Sequence, residues 1–295
     1  MCKIKWFLAI ILLGFLLQSK GQSRIYIFKD RYKEDIQSTL NRPEWEFENI
    51  KILLQYMMDP KNTGDVDYRL LDSYLDKIVP DKNSEELLCI DLENVAYENV
   101  TRNVIVKGQM VSRSVYQQSE NKLIELIRHV KAKRPKMIVG IFGLPFRALD
   151  QKRVRVNSVG VLDPILSEVD VIFPSMYVPY ERKEQALAFL RLNLDRSFEY
   201  ADRLNKPVVP FFWYLLFPTD SRKLRHELIP RKDMLDYIKY VENYTSRSGR
   251  GISGIVWWDT PTQYSRKMIK QNLLNPNEQR PSWTMETQFQ YYFGN

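Results

Sequence analysis

Leu87-Leu-Cys-Ile-Asp-Leu-Glu-Asn94 decides the reading of this chain. Its four opening apolar residues form a run of the kind that is buried on both faces in a parallel sheet. It closes with Asp91 and Glu93. Side chains on a strand alternate, so residues two apart leave it on the same side. Both carboxyls therefore stand together at the strand's C-terminal end, where barrel enzymes carry their chemistry. Two carboxyls held close cannot easily both ionise, so one is pushed toward staying protonated near neutral pH. A general acid needs that property.

Outward from this strand the pattern alternates. Asp65 is read as capping a helix with Val66, Leu70, Leu71, Tyr74, Leu75 and Ile78 on one face, ended by Pro80. Asn94 to Arg113 has no clear period and reads as a long active-site loop. Ser114 and Gln117 form a capping box. The helix behind them carries Leu123, Leu126, Ile127 and Val130, with His129 beside that face in a surface or packing role rather than a catalytic one. Met137 to Phe142 is a strand. Leu162 to Leu166 leads to a second, Val169 to Phe173. A long helix follows with Leu187, Leu190, Leu194, Phe198 and Ala201 on one stripe. Then come an aromatic strand, Val208 to Tyr214, a helix with Leu235, Ile238 and Val241, and a last strand, Ile255 to Trp258. Upstream, Arg24 to Phe28 is a candidate strand, and Ile50 to Met57 fits a strand or a helix. Pro43 and Glu44, Glu46 and Glu48 read as loop, and Asn62-Thr-Gly64 as a turn. The tail after Pro261 is polar and weakly patterned.

This alternation predicts an α/β fold, a distorted TIM-like (β/α) barrel of about seven to eight parallel strands. Residues fit for chemistry stand at the ends of several strands rather than at one switch point, which favours a barrel over an open sheet. A glycine-rich phosphate loop is absent, which argues against a nucleotide fold.

The 295 residues exceed the usual single domain, but (β/α) barrels reach roughly 250 residues as one unit. The first 22 residues read as an export signal. Lys3 and Lys5 supply the positive start, Phe7 to Leu17 the apolar core, and Ser19, Gly21 and Ser23 the small-residue exit. Residues 23–295 are then one barrel domain with a polar tail, secreted or periplasmic, with no membrane span in the mature chain. Cleavage removes three lysines (Lys3, Lys5, Lys20) and no acid, so the formal charge falls from +8 to +5. The positive residues are scattered without a basic stripe, which argues against nucleic acid. Cys89 is the one cysteine left, so no internal disulfide forms. With two histidines, His129 and His226, no metal site and no cofactor are expected. Two sequons, Asn99-Val-Thr101 and Asn243-Tyr-Thr245, could receive sugar in a host that glycosylates exported proteins.

Four strand ends could share one mouth: Asp91 with Glu93; Gly140-Ile-Phe-Gly-Leu-Pro145; Phe173-Pro-Ser-Met-Tyr177; and Gly254-Ile-Val-Trp-Trp-Asp259. A tyrosine hydroxyl at Tyr177 can orient an amide or a sugar. An indole at Trp258 can floor a sugar subsite. Trp257, Tyr214 and Asp259 complete the candidate substrate-contacting set.

These motifs resemble the hyaluronidase family of glycoside hydrolases. Ile90-Asp-Leu-Glu93 resembles the family's Ile-Asp-Trp-Glu. Arg134-Pro-Lys-Met-Ile-Val-Gly-Ile-Phe-Gly-Leu-Pro145 resembles its Arg-Pro-Lys, Trp-Gly-Phe-Tyr and Phe-Pro run. Phe173-Pro-Ser-Met-Tyr-Val-Pro179 resembles its Phe/Tyr-Pro-Ser-Ile-Tyr-Leu-Pro, and Gly254-Ile-Val-Trp-Trp258 its Gly-Val-Val-Leu-Trp. All four stand in the family's order, over roughly Val66 to Asp259. The resemblance implies a distorted barrel of about seven strands and substrate-assisted, retaining hydrolysis at an N-acetylhexosamine. Glu93 would be the acid and then the base. Asp91 would tune it, Tyr177 would hold the N-acetyl carbonyl, and Trp258 would shape the subsite. The partner would be a polysaccharide of glycosaminoglycan type. The chain also departs from the family. Leu92 replaces a tryptophan, Phe146-Arg-Ala-Leu149 replaces Asp-Cys-Tyr-Asn so that a cleft tyrosine is missing at Ala148, Asp259 replaces a glycine, and the family's disulfides cannot form. A non-catalytic glycan-binding barrel and a glycosidase with two protein carboxylates are the alternative readings.

Overall fold

In the computed structural model, the described residues are 23–31, 45–105, 111–149, 160–217, 228–259 and 285–293. The candidate export signal, the segment with Pro218, and Thr260-Pro261 with the polar stretch after them lie outside these residues. Six strands form one parallel sheet: β1 (Ser23–Ile27), β2 (Trp45–Leu54), β3 (Leu87–Asp91), β4 (Ile138–Ile141), β5 (Phe211–Trp213) and β6 (Ile255–Trp258). Their order is β4-β3-β2-β1-β6-β5. Helices alternate with the strands: α1 (Tyr68–Ile78), α2 (Val95–Ile105), α3 (Arg113–Lys133), α4 (Asp163–Glu168), α5 (Lys183–Leu204) and α6 (Arg231–Glu242). A last helix, α7, spans Met285–Phe293.

The sheet curls into a half-barrel. Its two outer strands reach toward one extended segment, 171–175. Phe142 bridges Phe173 on one side of that segment, and Ile172 bridges Val208 and Ser175 bridges Phe211 on the other, all parallel. The register sets Leu54 beside Asp91 and Trp213 beside Trp258, so these strands end at the same mouth.

The inner face is packed. The ring centroids of Phe142 and Phe211 stand 5.0 Å apart, and those of Phe173 and Phe211 5.6 Å. Gly140 makes this possible, because a Cβ there would lie 2.5 Å from the Phe173 ring. The Cys89 side chain, beside Gly140 in register, is fully buried. Burial pushes its thiol well up, as befits an inert core residue.

The apolar helix faces are where periodicity put them. Leu71 and Leu75 of α1, Leu123, Leu126, Ile127 and Val130 of α3, and Leu190, Leu194, Phe198 and Ala201 of α5 are all buried. Arg134, 1% exposed, ends α3 and donates to the carbonyls of Leu75 and Val79 at the end of α1. His129 has the packing role expected of it: its ring lies 4.6 Å from Tyr68, and Nε2 is 2.7 Å from Asp72 Oδ1.

Several local readings are corrected. Glu46 and Glu48 lie in β2 rather than a loop, because β2 pairs with β1 along its N-terminal half. Residues 50–54 are strand, and Gln55–Met57 is a 3-10 turn. The α1 cap is Asp67, whose Oδ1 accepts from the amides of Arg69 and Leu70. The α3 cap is Ser112, accepting from the Val115 amide. The stretch after Asn94 is α2 through Ile105, not a long loop. The tail ends in a helix, because Phe289, Tyr292 and Phe293 find a buried aromatic surface to pack on.

Candidate active site

Asp91 is the last residue of β3, and Leu92 turns back into the core at 2% exposure. Glu93 emerges into the mouth beyond them, open to water on one side. The next residue, Asn94, is fully buried and ties this corner down. Its Oδ1 accepts from the Tyr97 amide, which starts α2, and its Nδ2 donates to Asp59 Oδ2 at 2.9 Å. Asp59 in turn accepts from the backbone amides of Thr63 and Gly64. Gly64 has φ +83, a left-handed turn that suits glycine. A chain of buried hydrogen bonds thus fixes the backbone next to Glu93.

The Glu93 carboxyl has a raised pKa. Burial by the walls of the mouth is the largest cause, the Arg147 charge opposes it, and Glu98, on α2, adds to it. Two phenols share its field. Burial, then Asp91 and Glu93, holds the Tyr177 hydroxyl well above its ordinary value. Burial, then Glu93, does the same for Tyr97. Both stay protonated and can only donate toward the carboxyls at neutral pH. Tyr97 donates to the Gly143 carbonyl at 3.3 Å. Gly143 has φ +74, and a Cβ there would stand 2.4 Å from the Tyr97 oxygen. The Tyr177 hydroxyl has no hydrogen-bond partner among the described residues, and it is not among the polar atoms sealed from solvent.

Aromatic rings line the mouth. Tyr177 lies 5.5 Å from Trp213, 5.7 Å from Phe142 and 6.2 Å from Phe217. The half-buried Trp258 stands 6.2 Å from Phe211. Arg147 spans the wall: its guanidinium lies 3.8 Å from the Phe217 ring centre and donates from Nη1 to Ser175 Oγ at 3.0 Å. Among the described residues, no cluster of three or more His, Cys, Asp or Glu could hold a metal, and no helix is long and apolar enough to cross a membrane.

The structure brings Asp91, Glu93 and Tyr177 together and turns Trp258 to the inner face. It does not bring Trp257, Tyr214 or Asp259 to the mouth. Trp257 is 1% exposed and lies under α7, its Nε1 donating to Gln288 Oε1 at 3.1 Å. Tyr214 stacks on Trp257 at 6.0 Å and donates to Asp259 Oδ1 at 2.6 Å. Strand alternation is the physical reason. If Trp258 and Trp213 face inward, Trp257 and Tyr214 must face outward. The same parity would have selected Trp213 from the sequence. Tyr97 and Arg147 were hidden for another reason: neither lies on a strand, and only the packing of α2 and of the segment after β4 brings them beside Glu93.

No family model matches the sequence, and no curated protein sequence matches it. Solved structures do. Bee venom hyaluronidase in a monoclinic crystal is 14% identical with a TM-score of 0.58, over 85% of this chain and 96% of that one. This chain has the hyaluronidase fold. Bee venom hyaluronidase in complex with a hyaluronic acid tetramer is 15% identical with a TM-score of 0.55, over 86% of this chain and 96% of that one. At such identity the likeness is one of backbone architecture, distant in sequence.

Proposed function

We propose that this hyaluronidase-like chain is an exported glycoside hydrolase that cleaves a polysaccharide at an N-acetylhexosamine. We read its fold as a closed, distorted (β/α) barrel with segment 171–175 as the seventh strand, one domain following a cleaved leader. The observation that carries the activity is the environment of Glu93: a carboxyl at a strand end whose pKa is pushed upward, within the field of the Tyr177 phenol, which has no hydrogen-bond partner among the described residues and also feels Asp91. The polysaccharide class is supported by the solved neighbour, which is in complex with a hyaluronic acid tetramer.

In this mechanism Glu93 gives its proton to the glycosidic oxygen as the bond to the anomeric carbon breaks. The carbonyl oxygen of the substrate's N-acetyl group forms the new bond to that carbon, and the positive charge passes to a cyclic oxazolinium ion. Asp91 accepts the amide proton's hydrogen bond and balances that charge. Tyr177 donates to the acetyl oxygen and holds it in line. Glu93, now a carboxylate, takes a proton from water as the water opens the ring with net retention. Asp259 accepts a hydrogen bond from Tyr214, which favours Asp91 over Asp259 as the second acid of the site.

The test is digestion of a glycan panel by the wild type and Glu93→Gln side by side. Turnover should fall by about 10²–10⁴-fold, the usual contribution of a general acid, with an unchanged melting temperature. A thiazoline analogue of the cyclised intermediate should inhibit the wild type. Near-normal turnover in the variant would remove Glu93 from the mechanism. Binding without any product would favour a glycan-binding barrel, a reading motivated by Ala148, which is buried with its amide bonded to Asn193 where the family carries a cleft tyrosine.

A further inference from the structure

Two Asn-x-Thr sequons lie in this chain, and the fold treats them oppositely. Asn99 sits inside α2 at its packed side. Its Nδ2 donates to Ser119 Oγ of α3 at 3.1 Å, so the atom that would carry a sugar points into the contact between two helices. The rest of that sequon is sealed. Val100 is fully buried, and Thr101, 5% exposed, turns its hydroxyl back to the carbonyls of Tyr97 and Glu98. A sugar on Asn99 would have to separate α2 from α3.

Asn243 is the first residue past α6, and it is exposed together with Thr245. Its Nδ2 donates to the Lys239 carbonyl at 2.7 Å. A glycosylated Asn nitrogen keeps one N–H, so this bond can survive modification. Beside it runs an open groove between α5 and α6, lined by Arg191, Lys239, Tyr240, Tyr244 and Arg247. The groove gives the first sugars room and two tyrosine rings to lie against.

We infer that Asn243 is an acceptor for N-linked glycan and that Asn99 is not. This rests on the export reading given above. The donor is a lipid-pyrophosphate-linked oligosaccharide. The Asn243 amide nitrogen bonds to the anomeric carbon of its first sugar, the bond from that carbon to the pyrophosphate oxygen breaks, the nitrogen loses one proton to a base, and the lipid pyrophosphate departs. The resulting glycan would project from the exposed end of α6.

The full chain can be made in a eukaryotic secretory culture, once with its own leader and once behind a proven one. Secreted protein is treated with peptide-N-glycosidase in heavy-oxygen water, and its peptides are weighed. The Asn243 peptide should carry the heavy aspartate and the Asn99 peptide should not. Asn243→Gln should abolish the gel shift, and Asn99→Gln should leave it. Unmodified Asn243 in secreted protein, or a labelled Asn99, would overturn the inference. Glycosylation behind the proven leader but not the native one would sink the export reading while leaving Asn243 as the acceptor.

Discussion

Arg147 donates to the Ser175 hydroxyl at 3.0 Å, and this bond holds a guanidinium within the field of Glu93. The two residues come from the segment after β4 and the segment ahead of β5, so the bond also ties two sides of the mouth together. Burial pulls the Arg147 pKa down, but an arginine stays charged across the working range.

Arg147→Met should therefore move the pH profile. Arg147 opposes the rise in the Glu93 pKa, so its loss raises that pKa further. An acid must be protonated to act, and activity fails as pH climbs through its pKa. The alkaline limb of kcat/KM should move to higher pH in Arg147→Met and stay near its place in Arg147→Lys. An unmoved limb in the methionine variant would separate the two residues.

Tyr177→Phe removes one hydroxyl and leaves the ring against Trp213 and Phe142. Turnover should drop by about 10²-fold, in the range of losing one preorganised donor, with little change in melting temperature. Steady-state kinetics with a denaturation curve decide it. An equal loss of stability and activity would make the hydroxyl structural.

Asp59 links pH to stability. Burial would raise its pKa, but donation from the Thr63 amide, the Asn94 side chain, the Gly64 amide and the Thr63 hydroxyl outweighs that and leaves it lowered. A depressed folded value means the stabilisation is fully present above the unfolded pKa, near about 4, and is lost as pH falls through the lower folded value. Asp59→Asn should cost about 1–3 kcal/mol at neutral pH, because an amide cannot accept from all four donors. It should also flatten the acid limb of the stability curve. Urea titrations at several pH values would show both effects, and turnover should fall as Asn94 loosens.

The neighbouring tryptophans should part company. Trp257→Ala should cost about 3–5 kcal/mol through the cavity left under α7. Trp258→Ala should mainly weaken substrate binding, read as a raised KM. Reversal of these two outcomes would contradict the strand parity on which the site is built.

The alternation of elements was open to sequence reading because burial imposes a period. The two-faced burial of Leu87 to Ile90 and the helix stripes of α3 and α5 follow directly from which side meets the core. Caps were misplaced by about two residues, since Asp65 and Asp67, or Ser112 and Ser114, are chemically equivalent until the backbone chooses. At the site, the Asp-x-Glu spacing sufficed for the acid pair. The role of Tyr97 depends on how α2 tilts, and that of Arg147 on where its loop closes, and neither has a one-dimensional signature. Trp257 shows the opposite limit. Its chemistry suited a sugar, but its partner was a helix at the far end of the chain.

The placing of β1 between β2 and β6 has a consequence for synthesis. Among the described strands, the first one made waits for the last one. Until the ribosome has delivered Ile255 to Trp258, β1 presents a bare edge carrying Ile25 and Ile27, the kind of surface that templates aggregation. Stalled or nonsense-truncated chains should therefore precipitate rather than persist as partial enzymes, and Trp258 should join the mouth only in the closing stage of assembly.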